Sequence, residues 1–228
     1  MASTFPPLVD RLLSFGAVAV TVAAVALVVA ELADGPDLPD IPTTHQPDVI
    51  SDWKALFRST DERYLVRVAI FSDYACPYSA DVAHTMRVLQ REYPDILVEY
   101  RSLPLRGELS ETAAAIAECS RASGRFDEMH RTLFEFVDSL GLSPWVDIEA
   151  SAGIVDTATF RNCAFGSEVP LGIEHDLDLA EKLGVTVTPS VMVDSLLFQG
   201  SPGPAYLESY VRRARWLSRT AGRSGDPS

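Results

Sequence analysis

The sequence predicts an α/β domain built on one sheet, and three observations carry that expectation. A short apolar, β-branched run leads into a segment of helical spacing and then a second strand-like run. A long helical block follows. The chain then closes with a helix, a hairpin and a last amphipathic helix. Composition agrees, since 228 residues with 47% apolar and 22% charged side chains suit one globular domain with appendages.

The first element is apolar throughout. Leu12–Ala30 (LLSFGAVAVTVAAVALVVA) is nineteen residues without a charge, about 28 Å long as a helix and close to the ~30 Å hydrocarbon core of a bilayer. Its polar side chains are Ser14 and Thr21, which a spanning helix tolerates. Residues 12–30 are therefore read as a transmembrane anchor, with residues 1–11 as a cytoplasmic N-terminus. A cleavable signal peptide ending near Val28-Val29-Ala30 is the competing reading. The weak basic flank, Arg11 beside Asp10, and the length of the apolar run favour the anchor. Arg11 and the terminal amine on one side, with Glu31, Asp34, Asp37 and Asp40 on the other, set the orientation. Either reading places the remainder outside the cytoplasm, on the periplasmic or cell-envelope side of the cell membrane.

Residues 31–50 are rich in proline and aspartate and are expected to form an extended, solvated linker. His45 in this stretch is read as a solvated linker side chain. The domain proper is expected over residues 51–218, with a disordered polar tail at 219–228.

Within the domain, Leu65–Ser72 (LVRVAIFS) reads as a buried strand. It passes through Asp73-Tyr74-Ala75 to Cys76, and Ala80–Tyr93 then has helical spacing in Val82, Met86, Leu89 and Tyr93. Pro77 suits the first helical position, where a missing N–H costs nothing. Ile96–Leu103 is a second strand. Glu111–Leu140 reads as helix throughout, broken near Gly124, with Ala115, Cys119, Phe126, Met129, Leu133 and Phe136 available for a core. Shorter helices are expected around Asp147–Ala152, Thr157–Ala164 and Val169–Leu183. Val185–Val193 and Leu196–Gln199 read as a hairpin turning at Asp194-Ser195, and Tyr206–Leu217 as the closing helix.

Charge and cysteine count narrow the function. Nineteen basic against thirty-two acidic residues give a net charge of −13, which repels phosphate backbones and excludes a general nucleic-acid binder. Three cysteines are too few for a disulfide-dense scaffold or a four-cysteine zinc site. The informative residue is Cys76, at a strand-to-helix junction. There it meets the positive end and free N–H groups of the helix, which favour thiolate over thiol. Ser79, one turn on, can direct its hydroxyl at the sulfur.

These residues carry a resemblance. FSDYACPYS is similar to the FSDFxCPYC signature of thioredoxin-fold proteins of the DsbA type, extracytoplasmic thiol-disulfide oxidoreductases. GRFDEMHRTLFE resembles a segment of their helical insertion, and LGVTVTPSVMVD resembles their cis-proline strand. The matches fall in family order across roughly residues 66–217. The resemblance implies a thioredoxin-like fold with a helical insertion at about 108–182. It also implies catalytic roles for Cys76 and Ser79, and substrate contact by Pro77, Tyr78, Thr188 and Pro189. Neither a metal nor a cofactor is expected. The implied partners are cysteine-containing extracytoplasmic proteins or a membrane redox partner, and a place in a membrane complex.

Two departures from the family stand out. The resolving cysteine of Cys-x-x-Cys is replaced by Ser79, which cannot attack a mixed disulfide. Thioredoxin-like enzymes often carry a buried acid six residues before the first cysteine, and that position is Ile70. The resolving thiol and its proton relay are missing together. Cys119 and Cys163 resemble a structural disulfide of some DsbA-like proteins, against the alternative of two buried free cysteines. In that pairing Cys76 is the odd thiol.

The histidines and tryptophans add no site. His130 is read as a packing or helix-surface residue, and His84 lies two turns beyond Cys76, too far along its helix to pair with it. His175 lies among Glu174, Asp176 and Asp178 on what reads as a solvated acidic face. Trp53, Trp145 and Trp216 are scattered and read as core or half-buried.

Three functions fit: monothiol exchange or isomerisation through Cys76 with an external resolving thiol, a non-catalytic accessory module, and a thiol that carries a modification or metal ion. The survival of Cys76-Pro77 with Thr188-Pro189 favours the first. Protease added outside intact cells or spheroplasts should digest residues 31–228 and leave the anchor; protection of the whole chain would exclude the extracytoplasmic placement.

Overall fold

The computed structural model describes residues 48–51, 53–57, 61–142 and 144–223. The anchor read at residues 12–30 and nearly all of the linker lie outside the described residues. Five strands are described: β1 (Asp48–Val49), β2 (Val66–Ser72), β3 (Ile96–Ser102), β4 (Ser190–Val193) and β5 (Leu196–Gln199). The helices are α1 (Pro77–Glu92), α2 (Glu108–Cys119), α3 (Phe126–Glu135), α4 (Trp145–Ser151), α5 (Thr157–Ala164), α6 (Leu171–Lys182) and α7 (Pro204–Arg223). No helix among the described residues is long and apolar enough to cross a membrane.

The sheet order is β1-β5-β4-β2-β3. β2 and β3 run parallel in the register Val68 to Val98, with α1 as their crossover, and the other pairs are antiparallel. Strand periodicity explains the layers, because successive side chains leave a strand on opposite faces. Val66, Val68 and Ile70 of β2 join Val191, Val193 and Phe198 against Val82, Met86 and Leu89 of α1 and Leu207 and Val211 of α7. Ala69 and Phe71 join Met192 and Leu197 on the opposite face, against Leu179 and Ala180 of α6. Each of the larger side chains contributes about 1.5–3 kcal/mol by leaving water. A third core, holding Ile116, Met129, Leu133, Ile148 and Phe160, lies in the helical insertion. Its helices run from Glu108 to Lys182.

The structure corrects four boundaries. The block expected at Glu111–Leu140 breaks near Gly124 as expected, but it starts at Glu108 and its second helix ends at Glu135; Gly124, at φ +66°, ends the intervening 3-10 turn and lets Arg125 N–H bond Ser120 O at 2.9 Å. The strand expected from Val185 begins only at Ser190, because Val185 N–H turns back to Ala180 O at 2.8 Å and Pro189 has no N–H to give. The closing helix runs to Arg223, not Leu217, so residues 219–223 are not disordered; Arg219 pairs with Asp95 at 3.1 Å there. Asp48 and Val49, assigned to the linker, pair with Leu197 and Leu196 as an edge strand too short to leave a pattern in the sequence.

The acidic face around His175 is also revised. Asp176 is buried, accepting from Arg101 Nη1 at 2.9 Å and from Ser102 N–H at 2.9 Å. The buried Arg101 gives its other arm to Glu99 at 2.8 Å and Leu56 O at 2.7 Å.

His130 is buried in an aromatic cage. Its ring lies 3.8 Å from that of Tyr100, and its Nδ1 shares a 2.8 Å hydrogen bond with the Tyr74 hydroxyl. Burial, aided by Arg121 and Arg87, pushes its pKa down to about 3. The unfolded chain binds this proton near pH 6.5 and the folded chain does not, so the contribution is whole above about 6.5 and is lost as pH falls toward 3. Between pH 6.5 and 4, His130→Gln should flatten the fall in unfolding free energy by about 1 kcal/mol per pH unit. Equal slopes in denaturant titrations of the two proteins would contradict this.

Candidate functional site

Cys76 sits where the sheet delivers β2 to the first turn of α1. β2 ends at Ser72, and a tight turn returns Cys76 N–H to Asp73 O at 3.0 Å. Cys76 then has extended backbone as the helix cap, with Pro77 in the first turn. Its carbonyl accepts from Ser79 N–H at 3.0 Å and Ala80 N–H at 3.3 Å, so the sulfur lies over the positive end of a sixteen-residue helix.

The fold brings most of the expected site residues together. Thr188-Pro189 is a cis peptide, and the Thr188 carbonyl lies 3.5 Å from Cys76 Sγ as an acceptor for the thiol. Ser79 is fully buried, and its Oγ accepts from Asp73 N–H at 3.4 Å while its own proton is available to the sulfur. Tyr78, on the same turn, is 64% exposed. Ile70 is buried among Val68, Met86 and Val191, so position 70 offers no proton acceptor.

Cys119 and Cys163 stand apart from this group. They form a disulfide that joins α2 to α5 across 44 residues, leaving Cys76 as the free thiol. A loop of that length corresponds to roughly 4 kcal/mol in the chain-entropy model.

Two further residues complete the site. Arg106 Nη2 lies 3.5 Å from Cys76 Sγ, thirty residues away in sequence. The second is Asp73, buried beneath the turn. Its Oδ1 accepts from Ala75 N–H at 2.8 Å and the Ser110 hydroxyl at 2.7 Å, and its Oδ2 accepts from Leu105 N–H at 2.9 Å. These bonds tie the β3–α2 connection to the cysteine turn and set Arg106 over the sulfur. Gly107 follows at φ +73°, a conformation that a side chain would resist. The sequence hint for Arg106 is only its place in the connection after the second strand; nothing in the Cys76 motif points to it.

Burial acts on the Cys76 thiol in the direction of a higher pKa. The N–H and hydroxyl of Ser79 and the guanidinium of Arg106 outweigh it, and the net displacement is downward. The result is a stabilised thiolate able to attack a disulfide sulfur. Among the described residues no group of three or more His, Cys, Asp or Glu side chains is placed to hold a metal ion.

Comparison with known proteins agrees with this architecture. Residues 61–213 match a family model described as Thioredoxin. A thioredoxin-like oxidoreductase from Silicibacter pomeroyi superposes with a TM-score of 0.61 at 28% identity, covering 72% of this chain and 98% of that one. A periplasmic thioredoxin-like protein from Salmonella enterica gives 0.58 at 23% identity, covering 74% and 99%. A curated relative, "Na(+)/H(+) antiporter NhaA 1" from Salinispora arenicola, is 28% identical over 157 residues, which is 65% of this chain. The match spans only 23% of that relative's length.

The geometry assigns Arg106 and Ser79 separate shares of the lowered Cys76 pKa. Thiolate absorbance followed against pH should move toward the ordinary thiol value of about 8.5 in both Arg106→Ala and Ser79→Ala. A titration unchanged in Arg106→Ala would remove the guanidinium from the account.

Proposed function

This chain belongs to the thioredoxin family, and from that premise we propose that it acts outside the cytoplasm as a membrane-anchored monothiol exchange protein. The observation that carries the reading is one free thiol, Cys76, at a helix start beside cis-Pro189, with its pKa lowered and a serine in the resolving position. The Cys76 thiolate attacks one sulfur of a substrate disulfide. A new S–S bond forms, the old one breaks, and the departing thiolate takes a proton from water. Ser79 cannot displace the bound sulfur, so an external thiol attacks the mixed disulfide and returns Cys76 as thiolate. The pair of half-reactions is neutral in electrons overall.

The extracytoplasmic placement is supported by the Cys119–Cys163 disulfide, a bond that persists in oxidising compartments, and by the periplasmic source of one structural relative. The uncharged stretch at residues 12–30 supports the anchor. A second reading, a non-catalytic accessory module of a membrane complex, is favoured by one observation: the curated relative is named for a membrane antiporter.

Mass spectrometry separates the two. Reduced protein treated with glutathione disulfide should gain one glutathionyl adduct at Cys76 that persists until a thiol is supplied, and Cys76→Ala should gain none. Ser79→Cys should resolve the adduct, but slowly, because Ile70 offers no proton relay. Absence of an adduct even in Ser79→Ala would leave the accessory module as the better account.

A further inference from the structure

The resting site poses a problem for exchange. Cys76 is fully buried, yet its sulfur must reach a substrate disulfide. Two groups lie 3.5 Å from that sulfur, the Thr188 carbonyl and the Arg106 guanidinium. Thr188 is fixed by the backbone beside Pro189, whereas Arg106 has an exposed, long and rotatable side chain. Arg106 is therefore the part of the cover that can move without rearranging the fold.

Its bonding leaves it available. Among the described residues Arg106 has no carboxylate partner, and Nη2 to the sulfur is the hydrogen bond it makes. The other guanidinium donors are open in the planar fork that matches a carboxylate. By contrast Arg101, Arg121, Arg131, Arg161 and Arg215 are each engaged by an acidic side chain. The backbone on which Arg106 sits does not share its freedom, because Asp73 pins Leu105 and Ser110 on either side of it. The cation can swing off the sulfur while its anchor point stays within one side-chain length of the reacting atoms.

We infer that Arg106 is a substrate-selecting gate over Cys76, opened by a disulfide that carries a carboxylate close to its sulfur, such as a γ-glutamyl peptide or a protein cysteine flanked by Asp or Glu. The inference rests on the exchange reading above. The substrate carboxylate takes the free arms of the guanidinium and draws it outward, which uncovers the sulfur and sets the disulfide against it. Exposed apolar residues adjoin the site residues in the chain: Tyr78, Leu105 and Val187 are 64%, 49% and 42% exposed. The protein as a whole, at −13, disfavours anionic substrates, so a preference for them must arise locally.

The test uses the full-length protein in detergent and three small disulfides: dithiodiglycolate (anionic), hydroxyethyl disulfide (neutral) and cystamine (cationic). Adduct formation at Cys76 is followed by mass, and the anionic-to-neutral rate ratio is compared between wild type, Arg106→Lys and Arg106→Gln. Taking the ratio within each protein cancels any change in thiolate fraction. The ratio should drop about tenfold in Arg106→Gln, as expected for loss of one charge-assisted contact. It should fall less in Arg106→Lys, which keeps the charge without the fork, and added salt should lower it in wild type. The same ratio in wild type and Arg106→Gln would overturn the gate while leaving exchange standing. Failure of wild type to react with any of the three would overturn the exchange reading, and the gate with it.

Discussion

The arrangement of the site depends on one buried side chain, Asp73. Three donors from three places converge on its two oxygens: the Ala75 N–H in the cysteine turn, the Leu105 N–H in the β3–α2 connection, and the Ser110 hydroxyl in the first turn of α2. Leaving such donors unmet in the interior costs about 1–3 kcal/mol each, so the two segments hold together or both come apart. The same residue offers its own N–H to Ser79 and its carbonyl to Cys76 N–H. Through these bonds one aspartate fixes the Cys76 turn, the Ser79 hydroxyl and the segment bearing Arg106.

A second polar knot lies at the same, C-terminal end of the sheet's edge strand. Arg101 of β3 and Asp176 of α6 are both buried and paired at 2.9 Å, with Glu99 and the Leu56 carbonyl as further partners of the arginine. A buried pair of this kind adds little net stability, but removing one partner strands the other at about 3–5 kcal/mol. Its role is placement: it brings α6, the last helix of the insertion, against the sheet face formed by Phe71 and Met192. From there the chain turns at Gly184 toward cis-Pro189. Both knots join the C-terminal ends of β2 and β3 to the helical insertion.

The backbone of this architecture was largely legible in the sequence, because it rests on local signals. β2 and α1 follow from periodicity and from Pro77, the hairpin turn from Asp194-Ser195, and the insertion from its spaced apolar residues. What escaped detection depends on distance in the chain. Arg106 reaches Cys76 only after β3 has aligned beside β2, and Asp176 looked solvated because its neighbours Glu174 and Asp178 are; its arginine lies 75 residues earlier. Val185–Pro189 has β-branched residues but spends its N–H groups elsewhere, and the two-residue β1 is too short for any alternation to register.

Electrostatics at Cys76 bears on release as much as on attack. A lower thiol pKa increases the thiolate fraction at neutral pH but weakens each thiolate as a nucleophile, so the two effects on attack partly cancel. In the second half-reaction of the proposed exchange no such cancellation occurs: when an external thiol attacks the substrate sulfur, Cys76 is the leaving group, and a stabilised thiolate leaves faster. A dithiol site can be emptied by its own second cysteine. With Ser79 in that place, the helix start, the Ser79 donors and Arg106 instead bias which sulfur of the mixed disulfide departs. Displacement of Cys76 transfers the substrate sulfur to the incoming thiol, whereas attack on the Cys76 sulfur leaves the protein capped. Burial of Cys76 in the free protein opposes a low pKa, and the donors that outweigh it there are the same ones that make Cys76 the better leaving group.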